Sequence, residues 1–250
     1  MFDAESFVNE QIQSIKERID GKAIIACSGG VDSTVAAVMV SRAIGDRLLT
    51  IYVDTGLMRK GETEEVDAMF RSMGINYKIV RASDYFFQEL AGTIEPERKR
   101  KIIGECFIRC FEKEAKAFDA KYLVQGTIAP DWIESGDEFR DTIKSHHNVG
   151  GIPKEMGLEL VEPLRDLYKD EVRIVARYLG VSVSERQPFP GPALAIRVMG
   201  EVTPENVEIV REACHIVEQE IEDAAAKKKM TLPWQYFAVL LPVQSVGVHG

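Results

Sequence analysis

The stretch Ser28-Gly29-Gly30-Val31-Asp32-Ser33 decides the fold of this 250-residue chain. It follows a short, mostly apolar run at residues 22–27 and precedes a helical pattern at residues 32–44. Glycines let the backbone approach an anion, and the N-terminus of a helix presents free N–H groups and a positive dipole. A strand, a glycine loop and a helix in this order predict a phosphate-binding turn at the edge of an α/β sheet.

The chemistry of this loop differs from that of the common nucleotide loop. Kinase-type and GTPase-type loops end in Gly-Lys-Ser/Thr, and no lysine is present here. Asp32 offers the hard oxygen ligand that Mg²⁺ prefers, so it is the predicted metal ligand. Ser-Gly-Gly alone is also compatible with a simple tight turn. Asp32 and Ser33 are therefore the residues that favour a phosphate site.

Strand-like and helix-like segments alternate through most of the chain. The predicted strands are residues 22–27, 48–54, 77–80 and 121–124, and the predicted helices are residues 32–44, 61–73, 96–120 and 166–179. This alternation predicts an α/β fold, a parallel twisted sheet with helices on both faces. Ligands of such sheets bind beyond the carboxyl ends of the strands.

A proline-rich segment at residues 187–192 predicts a boundary between domains 1–187 and 188–250. The predicted elements beyond it are a strand at 195–199, a helix at 204–229 and one or two strands within 237–248. A unit this small buries a modest fraction of its surface and ends on an apolar strand without an evident partner. We expect a small, incomplete C-terminal α+β domain.

Composition excludes several classes of function. The net charge of -9 argues against tight non-specific binding of nucleic acid, which needs a positive face. No run approaches the ~20 apolar residues of a membrane span, and the N-terminus lacks a secretory signal, so we expect a cytoplasmic protein. Its four cysteines should be reduced there. Cys106 and Cys110, one helical turn apart, favour core packing over a redox or metal role.

The segment 128–156 is polar and long for a structureless connection, which is typical of a lid or a linker. Asp131 and Glu134 place two carboxylates just after a predicted strand, and a solvated acidic loop is the alternative. Lys144, His146 and His147 bring one cation and two imidazoles together. No other cluster of His or Cys completes a zinc site with them.

The loop at residues 28–33 matches the motif of the PP-loop ATP pyrophosphatases, so the chain resembles that family. The resemblance implies an adenine nucleotide alpha hydrolase-like fold. It also implies that the loop holds the β- and γ-phosphates of ATP while a substrate oxygen attacks the α-phosphorus and pyrophosphate leaves. The ATP-binding residues implied in this way are Ser28, Gly29, Gly30, Val31, Asp32, Ser33, Val53 and Gly126. Lys169 and Asp170 match a segment shared widely in the family, which can also be a plain helix start.

Four further segments, residues 54–59, 97–104, 126–151 and 186–192, resemble the GMP synthetase family within that class. The resemblance implies that xanthosine monophosphate (XMP) is adenylated by ATP with Mg²⁺ and that ammonia then displaces AMP to give GMP. The catalytic residues it implies are Asp32, Asp131, Glu134, Lys144, His146 and His147. All but Asp32 fall within a lid expected from about residue 130 to residue 156. The XMP-binding residues it implies are Arg100, Arg186 and Arg197.

The resemblance also implies partners. Many members carry a glutamine amidotransferase domain before the PP-loop, whereas a short stretch precedes residue 22 here. We therefore expect a separate glutaminase subunit to supply ammonia, as in the split archaeal type. Members continue past residue 250 with a segment that closes on XMP and builds a dimer, so we expect a homodimer formed through the C-terminal region.

Other interpretations stay open from the sequence. The chain can be another amide-forming PP-loop synthetase such as NAD synthetase, a tRNA-thiolating relative, or a nucleotide-binding module without turnover. The basic run at residues 98–101 can be an exposed helix face rather than part of a nucleotide site.

Overall fold

A computed structural model of the chain describes residues 2–135, 157–181, 187 and 189–243. Five parallel strands form one sheet in the order β3-β2-β1-β4-β5, which confirms the predicted α/β fold. The strands are β1 (Ala23–Ala26), β2 (Leu48–Asp54), β3 (Tyr77–Arg81), β4 (Tyr122–Val124) and β5 (Glu159–Val161).

Eight α-helices lie within the described residues. They are α1 (Ala4–Arg18), α2 (Val31–Ile44), α3 (Glu62–Met73), α4 (Ser83–Leu90), α5 (Pro96–Phe118), α6 (Ala129–Ser135), α7 (Lys169–Leu179) and α8 (Pro204–Lys228). Helices α1, α2 and α7 pack against one another in one layer. In the described part of the chain, no helix combines the length and the apolar character that a membrane span requires.

The core of the sheet lies at its central strands. Ile24 and Ile25 of β1 are fully buried, and β2 is buried from Leu48 to Val53. Runs this apolar are typical of parallel strands that are covered on both faces. The side chains of α2 are buried without interruption from Thr34 to Val40, so this helix is held firmly against the core.

β1 occupies the position at which the chain reverses its direction across the sheet. It pairs in parallel with β2 on one side and with β4 on the other. In open parallel sheets such a switch point leaves a crevice at the carboxyl ends of the two diverging strands, where ligands bind. The glycine loop at residues 28–33 begins at this place.

The chain divides into two compact units. The sheet unit contains Met1–Val53, Thr63–Arg81 and Phe107–Glu185. The C-terminal unit contains Asp54–Glu62, Ala82–Cys106 and Arg186–Gly250, so it gathers two earlier segments as well as the end of the chain.

The predicted strand at residues 195–199 is wrong. Ala193–Arg197 forms a 3-10 helix, and Val198 makes a single bridge to Leu240. The buried ammonium of Lys99 explains the difference, because it donates hydrogen bonds to the carbonyl oxygens of Ala195, Val198 and Gly200 at 3.3, 2.7 and 2.7 Å. Carbonyls that converge on one cation cannot alternate sides as they do in a strand.

Four of the α-helices and strands were not predicted. They are helices α1 and α4, helix α6 at the start of the segment expected to be structureless, and β5, a strand of three residues. The helix at Pro204–Lys228, by contrast, follows its prediction to within one residue.

Candidate active site

The loop between β1 and α2 is open to solvent and shaped by glycine. Ser28 and Gly30 are exposed. Gly29 has a φ of +80°, in the left-handed region, and a Cβ there would lie 2.9 Å from Cγ2 of Val66. A side chain at Gly29 would therefore cost both backbone strain and a steric clash.

Helix α2 begins directly at this loop. Gly30 is its N-cap residue, and among the described residues no side chain caps the helix. The first intrahelical bond joins Thr34 N–H to Gly30 O at 3.0 Å, which leaves the N–H groups of the preceding turn available to an anion. Together with the helix dipole, these groups form the kind of site that binds phosphate.

A buried thiol supports the loop from below. Cys27 is buried, and this burial raises the pKa of its thiol, so the group stays neutral and donates to Oγ of Ser33 at 3.4 Å. Oγ of Ser33 in turn donates to Gly30 O at 3.2 Å. The Ser33 hydroxyl is therefore held within the loop.

Asp32 forms an ion pair with Lys169, the first residue of α7. Nζ of Lys169 lies 2.8 Å from Oδ1 and 2.6 Å from Oδ2 of Asp32. The two residues are 137 positions apart in sequence, and both lie in the first turn of their helices. The structure thus brings to the glycine loop the lysine that its sequence lacks.

The end of β4 lies directly against the same helix start. An ideal Cβ on Gly126 would lie 2.9 Å from the carbonyl carbon of Asp32 and 2.9 Å from the backbone nitrogen of Ser33. Ala129 N–H donates to Leu167 O at 2.9 Å, which brings the entry of α6 to the entry of α7. The loop, the exit of β4 and Lys169 therefore converge at the switch point.

The other predicted residues near the strand ends have mixed placements. Val53 is buried at the end of β2. Asp131 lies in the first turn of α6, where its Oδ2 accepts the backbone N–H of Ile128 at 2.9 Å, so one carboxylate oxygen already serves the helix start. Glu134 belongs to α6, and its side chain is outside the described residues. So are Lys144, His146, His147 and Arg186.

Arg100 lies on α5 in the C-terminal unit. It forms an ion pair with Glu97, one turn earlier, and this hydrogen-bonded pairing raises the pKa of the guanidinium further. The pairing is local to one turn of the helix, so it gives no sign of a ligand. The predicted role of Arg100 in binding XMP stays a prediction.

Arg197 is buried in the same unit. Its guanidinium carbon lies 5.0 Å from the ring centroid of Phe189 and 4.5 Å from that of Phe237. One N–H donates to Sγ of Cys214 at 3.4 Å. Stacking between aromatic rings stabilises a desolvated guanidinium. The two rings contact the guanidinium of Arg197, and its predicted contact with XMP stays a prediction.

Two lysines make contacts that the sequence does not predict. In the sequence Lys169 matches only a shared segment or a helix start, and its contact with Asp32 depends on the packing of α7 against α2. Lys99 belongs to the basic run at residues 98–101, yet its side chain is buried and donates to three carbonyl oxygens. Neither contact leaves a signal in the local sequence.

The residues present fit a magnesium ion of the type that binds with nucleotides. Mg²⁺ in such sites takes one or two carboxylates and completes its coordination with phosphate oxygens and water. Asp32 supplies a carboxylate at the phosphate loop. Within the described residues, no group of three or more His, Cys, Asp or Glu side chains forms a metal site built by the protein alone.

Known proteins share this architecture. A family model described as NAD synthase matches residues 3–127. The structure of NMN synthetase from Francisella tularensis superposes with a TM-score of 0.60 at 14% identity, covering 83% of this chain and 85% of that chain. At this identity the likeness extends to the fold alone, which is the PP-loop α/β fold.

The sequence relatives are much closer. A protein of Thermoplasma acidophilum, named as one subunit of glutamine-hydrolysing GMP synthase, is 56% identical over 245 residues, 98% of this chain and 78% of that protein. Its counterpart from Thermococcus kodakarensis is 59% identical over 250 residues, again 98% of this chain and 78% of the other. Identity this high over nearly the whole length shows that the chain belongs to this family of glutamine-hydrolysing GMP synthase subunits.

Proposed function

We propose that this chain is the ATP pyrophosphatase subunit of a GMP synthetase. It transfers the AMP group of ATP to XMP, releases pyrophosphate, and lets ammonia displace AMP to give GMP. The names of its relatives supply the substrate class. The proposal rests on the open loop at residues 28–33. This loop leads into the N-terminus of α2, which has no side-chain cap among the described residues, and Lys169 contacts Asp32 there.

The loop provides what cleavage between the α- and β-phosphates of ATP requires. Negative charge builds on the leaving pyrophosphate, and the N–H groups and dipole at the start of α2 are already oriented to stabilise it. Lys169 pairs with Asp32 at the same position and offsets the negative charge of its carboxylate. Mg²⁺ held by Asp32 and the phosphates would supply further positive charge there. Val53 and Gly126, at the ends of their strands, face the rest of ATP in this proposal.

Adenylation explains why ATP is needed at all. The oxygen on C2 of the purine of XMP is a poor leaving group, and ammonia cannot displace it unaided. As an AMP ester it leaves readily, provided that water is kept out. We assign Asp131, Glu134, Lys144, His146 and His147 to the assembly of this closed site. We assign Arg100, Arg186 and Arg197 to XMP, whose phosphate suits guanidinium groups.

Two partners complete the proposal for a cytoplasmic enzyme. A separate glutaminase would supply ammonia, in keeping with relatives that are named as one subunit of a glutamine-hydrolysing enzyme. A second copy of the chain would bind through the C-terminal region. This is supported by a set of exposed apolar side chains near the end of the described residues: Met230, Leu232, Trp234, Phe237, Val239, Leu241 and Val243.

The proposal is tested by the products formed from ATP, XMP and ammonium. We expect AMP and pyrophosphate, with no ADP, and stoichiometric GMP. Lys169→Met keeps the stem of the side chain and removes its charge, so pyrophosphate release at saturating ATP should fall by about 10²–10³-fold. The melting temperature should change little because the pair is partly exposed.

Lys78→Met is the matched control. It breaks an ion pair with Glu114, in which Nζ and Oε2 are 2.6 Å apart, in the same unit but away from the loop. Its rate should equal that of the wild type. Wild-type turnover by the Lys169 variant would contradict the role given to this lysine. ATP binding without any pyrophosphate release by the wild-type chain would instead favour a nucleotide-binding module.

A further inference from the structure

The turn that continues β2, residues 54–58, has an unusual pattern of hydrogen bonds. Its own side chains satisfy its N–H groups: Gly56 N–H donates to Oδ1 of Asp54 at 3.0 Å, and Leu57 N–H donates to Oγ1 of Thr55 at 3.2 Å. Gly56 has a φ of +75°, and a Cβ there would lie 2.7 Å from Cβ of Ser83. The N–H side of the turn is therefore fixed locally.

The carbonyl side is fixed from much later in the chain. Three consecutive carbonyl oxygens accept hydrogen bonds from residues after 190. Gly56 O accepts from Nη2 of Arg211 at 2.5 Å, and Met58 O accepts from Nε of Arg211 at 3.0 Å. The carbonyl between them, Leu57 O, accepts the backbone N–H of Leu194 at 3.0 Å.

Arg211 is well suited to hold two peptide groups at once. Its guanidinium is a rigid fork whose donors have a fixed relative orientation. Its remaining terminal nitrogen pairs with Glu208, one turn earlier on α8, which orients the fork toward the turn. A lysine at this position could satisfy one carbonyl at a time, since its ammonium is a point charge on a flexible stem.

We propose that Arg211 is a positioning residue for ATP, acting through the turn at residues 54–58. The inference rests on the proposed function, in which the nucleotide lies at the end of β2. Ligands of parallel sheets bind beyond the carboxyl ends of the strands, and this turn begins where β2 ends. Arg211 itself lies on α8, so a residue of the C-terminal helix sets the conformation of the backbone segment that continues β2.

The test is the affinity for α,β-methylene-ATP, which binds without cleavage, measured by calorimetry on the full chain. Arg211→Met should weaken binding by about tenfold, because two charge-assisted hydrogen bonds to the turn are lost. Arg211→Lys should lie between Arg211→Met and the wild type. The KM for XMP and the rate of pyrophosphate release at saturating ATP should stay within about twofold of wild type, which a general loss of structure would not allow.

Glu212→Gln is the matched control. It removes the exposed ion pair between Glu212 and Lys60, which also links α8 to the segment after β2 but contacts no carbonyl of the turn. It should leave the affinity unchanged. Hydrogen exchange adds a direct readout: the amides of residues 56–59 should exchange faster in Arg211→Met than in Glu212→Gln.

The outcomes separate cleanly. Wild-type affinity in Arg211→Met overturns this inference and leaves the proposed function intact. If Arg211→Met loses affinity for ATP and XMP equally and has a lower melting temperature, Arg211 has a purely structural role, and this also overturns the inference. If Arg211→Met does not fold, the affinity of Arg211→Lys for the ATP analogue decides between the two roles. A wild-type chain that binds no ATP analogue refutes the proposed function, and this inference with it.

Discussion

Gly126→Ala is the sharpest test of the geometry at the phosphate loop. The new Cβ would lie 2.9 Å from the carbonyl carbon of Asp32, 2.9 Å from the nitrogen of Ser33 and 3.0 Å from the carbonyl oxygen of Asp32. Ordinary contacts begin at 3.4 Å, so all three are too short. The three atoms belong to the backbone of the first turn of α2, and none can rotate away.

The expected size of the effect follows from these distances. Overpacking of this kind costs about 1–3 kcal/mol of stability. Relief requires that the start of α2 and the end of β4 separate by several tenths of an ångström. A displacement of about 1 Å in a catalytic group can cost ~10²-fold in rate, so we expect kcat/KM for ATP to fall by about 10–100-fold.

Gly104→Ala is the matched control within α5. A Cβ at Gly104 would meet nothing within 4 Å. Alanine in place of glycine inside a helix stabilises the fold by about 0.5–1 kcal/mol. This variant should therefore gain stability in urea denaturation and keep wild-type pyrophosphate release. If Gly126→Ala matches the wild type in both measurements, the close approach of β4 to the loop is refuted.

Two further predictions concern the C-terminal unit. Lys99→Met should lower the free energy of unfolding by about 2–4 kcal/mol, because three carbonyl oxygens lose their donor. Removal of the cost of burying an ammonium offsets only part of this loss. Urea denaturation measures the change, and the exposed Lys101→Met is a control that should be neutral. Burial, assisted by the hydrogen bond to Glu222, raises the pKa of Tyr236 to about 12. Since an unfolded tyrosine has a pKa of about 10, the stability this group contributes is complete below about pH 10 and is lost as the pH rises toward 12. Tyr236→Phe should therefore lose less stability than the wild type between about pH 9.5 and about 11.5, and an equal loss would contradict the assignment.

The sheet could be predicted from the sequence wherever a strand is a long apolar run. β1 and β2 are buried almost throughout, and each is followed by a helix with a clear pattern. β5 has three residues, Glu159-Leu160-Val161, which is too short for any period to stand out. Its pairing with β4 in parallel register, not its own composition, makes it a strand.

The C-terminal unit was harder to predict because a buried lysine, Lys99, binds backbone carbonyls of one of its segments. The sequence at residues 195–199 has the apolar, branched composition of a strand. Lys99, about a hundred positions earlier, bends that segment by drawing its carbonyls together. A charged helical run usually faces solvent, so the pattern offered no reason to place this ammonium in the interior.

The residues of the candidate site fall into two groups, those that are contiguous in sequence and those whose position depends on packing. Ser28 to Ser33 are contiguous, so the sequence alone marks them as a candidate phosphate loop, and the structure has an open turn and a helix N-terminus there. Lys169 contributes through a side chain whose position depends on how α7 packs against α2. The same dependence on packing hides Arg211, which reaches Gly56 from 155 positions away.

The charge balance of the loop is therefore a property of the folded chain. The start of α2 carries the equivalent of about half a positive charge, and a lone carboxylate at Asp32 would outweigh it. Lys169 neutralises that carboxylate through two contacts of 2.6 and 2.8 Å, so the positive end of the helix stays available to a polyanion. The helix that follows β5 thus places a lysine at a glycine loop that has none of its own, and this is the charge balance that the proposed phosphate site requires.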